Sequence, residues 1–391
     1  EILAACDCLD SYCSNFEIRK FAACTNTLNE GEERYILYGW MANKDAEKLQ
    51  REIAMDEKIN CVEEEPGDDL GSKPPTKLKN PKILKPFEMF VEMYGLPGYN
   101  EMDPTLFIAL TYTFMFGVMF GDVGQGACLV LGGALLYKIK GMRLAGIVAV
   151  GGIWSVIFGF LYGSFFGFEE TIPALWMKPM DNIMTTLMLA IGFGAGLILL
   201  AMALNMVNAV RAKEYGRLLF NQSGLAGLIC YGFVVACALL FVTGHALPAT
   251  ALIGAMVGIP LVAILLKEPL AHLVEKKGHL FPEGSKVMFF VEALVEGFDV
   301  VLSYATNTIS FVRVGAFALS HAGMMGVVMT LAGLERGNPN WVVIILGNAL
   351  VAGLEGLVVG IQVLRLEYYE MFSRFYTGNG KPFVSFKNRN Q

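Results

Sequence analysis

The sequence predicts an α-helical polytopic membrane protein with eight transmembrane helices, preceded by part of an α/β unit. Three observations carry this. The 391 residues are 54% hydrophobic and only 17% charged, with a mean hydropathy of +0.50, which is wrong for a soluble domain and right for a membrane one. The apolar residues gather into eight runs, near 105–121, 123–139, 142–165, 182–210, 218–243, 249–272, 286–333 and 341–376. Lysine and arginine alternate between successive loops. Charge is thus sorted by segment, and the net value of −6 says little about partners.

Residues 1–80 read as a soluble, membrane-proximal piece. The stretch from Tyr35 to Trp40 has strand character, and Lys44 to Ile53 reads as a helix with Lys, Glu and Arg on its wet face. The chain opens on Glu1 amid what reads as folded sequence, so a further N-terminal part is expected. Cys6, Cys8 and Cys13 match no zinc-ligand spacing well, and free thiols in a reducing compartment are expected instead. Residues 63–81 are rich in Pro, Gly, Asp and Lys and read as a linker, and the whole of 81–104 as linker and pre-membrane segment. The membrane domain then runs over 105–376, and 377–391 is a tail.

The first two apolar runs are short and joined through Gly121-Asp-Val-Gly-Gln-Gly126. The last two exceed the ~20 residues that a bilayer needs. At ~1.5 Å per residue the seventh would be about 70 Å long, so it is expected to be tilted, broken, or prolonged beyond the membrane. Orientation follows from the loops. The approach to the first run (Lys73, Lys77, Lys79, Lys82, Lys85) is basic, as are the turns after the second (Lys138, Lys140, Arg143), fourth (Arg211, Lys213, Arg217) and sixth (Lys267, Lys276, Lys277, Lys286). The alternate loops, including Glu169-Glu170, are poor in Lys and Arg. Both termini are therefore expected in the cytoplasm of a cell-membrane protein.

Function is read from polar residues inside these runs. On the seventh, Glu292, Glu296, Asp299, Ser303, Thr306, Ser310, Arg313 and Ser320 recur at helical spacings of three, four and seven. An arginine in a bilayer costs between ~2.5 and ~17 kcal/mol depending on its solvation, and carboxylates and hydroxyls leading to it point to ion handling. Small residues around Arg313 let another helix approach. Its carboxylate partner is then either on another molecule or internal, with Glu355 the internal candidate. The eighth run carries Glu355 and Gln362 two turns apart on one face, with Arg365 a turn further on. Arg365 is either functional or snorkels to the interface beside Glu367-Tyr-Tyr-Glu370. His321, two turns beyond Arg313, is either a packing residue or a proton relay. Asp299, Glu296 and Glu292 lie on the cytoplasmic half of the stripe, where they either form an aqueous vestibule or, for Glu292 and Glu296, sit at the interface.

Phosphate loops, Ser-His-Asp sets, HExxH motifs and internal repeats are absent from the sequence. Neither nucleotide chemistry, nor hydrolysis, nor a resident cofactor is expected, and nothing points to nucleic acid.

Ser310-Phe-Val-Arg-Val-Gly-Ala-Phe-Ala-Leu-Ser-His-Ala-Gly-Met324 resembles the seventh membrane helix of the stator subunit (subunit a, or subunit I in prokaryotes) of rotary V/A-type ATPases. Glu355 to Arg365 with Leu366-Glu-Tyr-Tyr-Glu-Met-Phe-Ser-Arg-Phe-Tyr376 resembles that family's last helix, and Met115 to Gly126 its first helical hairpin. Three motifs in the family's order span about residues 80–386, with compact loops of prokaryotic character. The resemblance implies a non-catalytic subunit that couples H⁺ or Na⁺ movement to rotation. Its partners would be the proteolipid c ring, peripheral stalk subunits, a central-stalk adaptor and membrane lipid. Arg313 would be the essential arginine and Arg365 the second one. Asp299 would take the acidic position of the cytoplasmic half-channel; Glu355 and His321 would take positions in the outer one. Gln362 stands where some relatives carry histidine, and Gln125 replaces an aromatic or histidine in the glycine turn. Two other classes share the intramembrane charges, a stand-alone channel or transporter and a non-transporting scaffold.

Overall fold

The computed structural model describes residues 22–26, 33–37, 39–54, 59, 61–63, 74–99, 101–168, 171–245, 248–267, 269–270, 286–334 and 339–384. Two compact units divide at Pro75. The first holds an antiparallel pair, β1 (Ala22–Asn26) and β2 (Glu33–Leu37), with Cys24 opposite Tyr35, and helix α1 (Asn43–Ile53). The expected strand is thus shifted two to three residues toward the N-terminus, and its partner strand had no separate sequence signal. Cys6, Cys8 and Cys13, the Glu169-Glu170 loop and the lysines at 276 and 277 lie outside the described residues.

The second unit is helical. A 3₁₀ turn (Lys85–Phe87) and α2 (Glu88–Tyr94) precede α3 (Thr105–Met119), α4 (Val123–Lys140), α5 (Arg143–Tyr162) and α6 (Ile183–Arg211). Then come α7 (Tyr215–Phe220), α8 (Leu225–Val242), α9 (Thr250–Leu265), α10 (Lys286–Ser310), α11 (Val312–Leu331) and α12 (Trp341–Leu366). A π-helical turn (Glu367–Phe372) and α13 (Ser373–Phe375) prolong α12.

Among the described residues, five helical segments are long and apolar enough to cross a membrane: α5, α6, Tyr215–Val242, Val291–Leu331 and Trp341–Phe375. Helices α3 and α9 are apolar but shorter, and α4 ends on Lys138 and Lys140. The chain is therefore a multi-pass helical membrane protein.

Asp122 caps α4, accepting from Gln125 N at 2.8 Å. The same carboxylate accepts from Ser164 Oγ at 2.7 Å and from Phe166 N and Gly167 N at 3.1 Å. One buried acid thus ties the glycine turn to the loop after α5. Gln125 Nε2 donates to Asn348 Oδ1 at 2.8 Å, joining this turn to α12.

The seventh run, expected to be tilted, broken or prolonged, is interrupted once. Phe311 separates α10 from α11, and both flanking contacts, Phe311 N to Thr308 O (3.3 Å) and Val314 N to Phe311 O (3.0 Å), close after three residues. Phe311 is fully buried, and its ring occupies the space a methyl at Gly194 on α6 would need. The core joins Ile108 and Met115 of α3, Ile198 and Met202 of α6, Phe311, and Val359 and Val363 of α12.

Below α12, Tyr94 meets Tyr368, Phe372 and Tyr376 at ring separations of 5.3, 5.2 and 5.6 Å. Tyr368 Oη donates to Phe90 O at 2.7 Å, and Tyr376 Oη to Gly95 O. Burial pushes the Tyr94 hydroxyl up, with Glu101 adding to the effect. The end of the long helix is thereby fastened to the pre-membrane segment.

Candidate ion-translocation site

Helices α11 and α12 pack against each other and against α3. This brings together two of the residues predicted from sequence, eight residues beyond Arg313 on α11 and ten before Arg365 on α12. His321 Nδ1 and Glu355 Oε2 lie 2.7 Å apart, with the side chains only 4% and 3% exposed. The Phe120 ring covers the imidazole, centroids 4.7 Å apart. His321 Nε2 and Glu355 Oε1 find no hydrogen-bond partner among the described residues. His321 also lines a cavity of about 30 Å³ with Tyr162, Ser164, Lys178 and Met325, room for a water. A buried pair with a spare donor or acceptor on each member, beside such a space, can pass a proton.

The second cluster surrounds the break. Arg313 is half-buried, and its Nη1 is buried without a hydrogen-bond partner among the described residues. Its nearby charges are Arg365 and Glu370. Both arginines act on the Glu370 carboxylate electrostatically, and Ser310 Oγ donates to Thr306 O at 3.0 Å. Glu355, the internal acid considered from sequence, bonds His321 instead. Arg365 is exposed and Gln362 half-buried.

The remaining predicted residues lie along α10 and do not join either cluster. Asp299 and Thr306 are exposed. Thr306 Oγ1 donates back to Leu302 O at 2.8 Å, and Ser303 Oγ accepts from Asn307 Nδ2 at 3.4 Å, the usual satisfaction of hydroxyls within a helix. Glu296 pairs with Lys267. Groups of three or more side chains able to hold a metal are absent among the described residues.

Sequence reasoning missed the acids of the π turn. Glu370 is 5% exposed and Glu367 fully buried, whereas the run Glu367-Tyr-Tyr-Glu370 reads as interfacial. Arg374, also buried, donates from Nε to Glu370 O at 3.2 Å and lies 5.6 Å from the Tyr304 ring centroid. The available signal was Glu370 and Arg374 one turn apart in a segment that continues the helix.

Fold and clusters define a multi-pass helical membrane protein with charged groups held inside its bundle. A model of the V-type ATPase 116kDa subunit family matches residues 11–172. The chain is similar to the A-type ATP synthase subunit I of Methanocaldococcus jannaschii, 28% identical over 91% of this chain and 55% of that one. The corresponding values are 28%, 94% and 59% for Aeropyrum pernix, and 29%, 92% and 61% for Saccharolobus solfataricus. The chain therefore spans little more than half the length of these relatives. The comparisons bear out the resemblance read from the three motifs, that to the membrane subunit of V/A-type rotary ATPases.

Proposed function

We propose that this chain is the membrane stator of a rotary V/A-type ATPase, crossing the membrane eight times with both termini in the cytoplasm. It would supply two ion half-channels and the arginine that faces the carboxylates of a proteolipid ring, with stalk subunits holding it against rotation. The observation that carries this reading is Arg313. Its guanidinium has a buried nitrogen without a hydrogen-bond partner among the described residues, and along the seventh run it stands between His321 and the polar face of α10 that bears Asp299 and Thr306.

Two half-channels that do not meet would reach the ring at different depths. An ion entering one binds a ring carboxylate and travels most of a turn before leaving by the other. The positive charge of Arg313 favours the ionised carboxylate, which expels the bound ion, and it also blocks a direct leak. A driving force of ~2.3 kcal/mol per charge per 100 mV is then coupled to rotation. The ring's own site decides between H⁺ and Na⁺, and the nucleotide chemistry belongs to other subunits.

Arg313→Gln or Arg313→Ala is expected to abolish ATP-driven ion uptake by the reconstituted complex. Arg313→Lys is expected to fail largely as well, because a compact ammonium lacks the guanidinium's reach and planar donor array. Wild-type uptake by the Gln variant would refute the stator reading.

A further inference from the structure

We propose that Tyr231, on α8, is a positioning residue for Arg313. Through its hydroxyl on Thr308 it holds the break at Phe311, and with it the direction in which the arginine leaves α11. The inference rests on the stator reading above and adds a residue from outside the segments that carry the charged groups.

The last turns of α10 are weak by composition. Thr306, Thr308 and Ser310 each turn a hydroxyl back onto the carbonyl four residues earlier, at 2.8, 2.6 and 3.0 Å. Back-bonding of this kind loosens and bends a helix. The break follows at once, where Phe311 N closes onto Thr308 O at 3.3 Å and Val314 N onto Phe311 O at 3.0 Å. Bonds that close after three residues wind the chain by about 120° per residue, against about 100° in an α-helix. Arg313 lies inside this tighter stretch. Each residue that reverted to α winding would swing it by about 20°.

Tyr231 reaches this stretch from another helix. Its Oη and Thr308 Oγ1 are 2.8 Å apart. Thr308 has one hydroxyl proton and gives it to Tyr304 O, so Tyr231 is the donor. Thr308 is thus held twice, its hydroxyl oxygen by Tyr231 and its carbonyl by Phe311 N. Tyr231 is 3% exposed, and its ring packs on that of Tyr304 with centroids 5.4 Å apart. Tyr304 Oη in turn donates to Gln222 O at 2.5 Å. The two tyrosines therefore fasten the end of α10 to α8 and to the turn before it. On the far side Phe311 is seated at Gly194 of α6. Packing alone would be met by a phenylalanine at 231; a buried hydroxyl carries a desolvation cost, and here it is matched by a bond to the residue that closes the break.

The test uses the whole complex, reconstituted with its ring, and measures ATP-driven ion uptake per assembled complex. Tyr231→Phe keeps the ring and removes the hydroxyl. It is expected to lower uptake about fivefold, the scale on which one buried hydrogen bond acts. Thr308→Val removes the acceptor and should lower uptake at least as much. The double variant should be no slower than Thr308→Val alone, because both changes remove the same bond. Thr308→Ser keeps the oxygen and should retain most of the uptake, which a role for the threonine methyl in packing would not allow. Wild-type uptake in Tyr231→Phe overturns the proposal. So does a double variant in which the two losses multiply, or a loss in Thr308→Ser as large as in Thr308→Val. If Tyr231→Phe does not assemble, Thr308→Val decides alone, and wild-type uptake there overturns the proposal. Arg313→Gln is run alongside. If that variant is dead while Tyr231→Phe is normal, only this inference fails; if it pumps, the stator reading fails first.

Discussion

At the residue scale, the two arginines and the buried acids differ in what surrounds them. Glu355 is shut away from solvent and bonded to His321, so a neutral amide there removes the proton-accepting group while keeping the shape. Glu355→Gln is expected to slow ion transport strongly and leave assembly intact. Arg365 is exposed and can be solvated at an interface, so Arg365→Ala should slow transport only in part. Ion flux per ATP hydrolysed, with ring copurification as control, checks both; normal flux in the first and none in the second would reverse the roles. Buried charges of this kind contribute little to stability, because their desolvation offsets their attraction. Their retention inside a bundle argues for use in transport.

At the element scale, the two long apolar segments each carry an interruption. One is the break at Phe311 between α10 and α11, the other the π turn below α12. The first depends on Gly194, since any side chain there would overlap the Phe311 ring. Gly194→Ala is expected to destabilise the bundle by about 1–3 kcal/mol, the usual cost of overpacking a filled core, and to perturb transport by tilting the start of α11. Thermal unfolding of the purified complex measures the first effect; an unchanged midpoint would mean α6 can move aside cheaply. The elements also set sidedness. Cysteines at Asp299 and Glu355, in a background without native thiols, should react with impermeant reagents from opposite faces of the membrane. Reaction of both from one face would exclude two separate half-channels.

At the scale of the molecule, five segments satisfy the length and hydropathy needed to cross a membrane, and short apolar helices fill the rest of the bundle. A stator reading requires partners. The complex purified intact should contain a proteolipid ring and stalk subunits, whereas recovery of this chain alone or as a homo-oligomer would favour an independent channel or transporter. The size and composition of the purified particle decide between them.

Much of this was legible in the sequence because it rests on chemistry local to the chain. Runs of apolar residues, alternating basic loops, and arginine, glutamate and histidine within them mark membrane helices and their costly charges wherever the helices pack. The resemblance of Ser310–Met324 and Glu355–Tyr376 to a known family needed only residue order. Tertiary structure alone decided which charges meet: that Glu355 takes His321 and that Glu296 is spent on Lys267. It also decided that the seventh segment breaks at Phe311 and that the acids after Leu366 turn inward on a π turn. These outcomes depend on contacts between residues far apart in the chain, such as Phe311 with Gly194, and helical periodicity carries no record of which face of one helix another helix will cover.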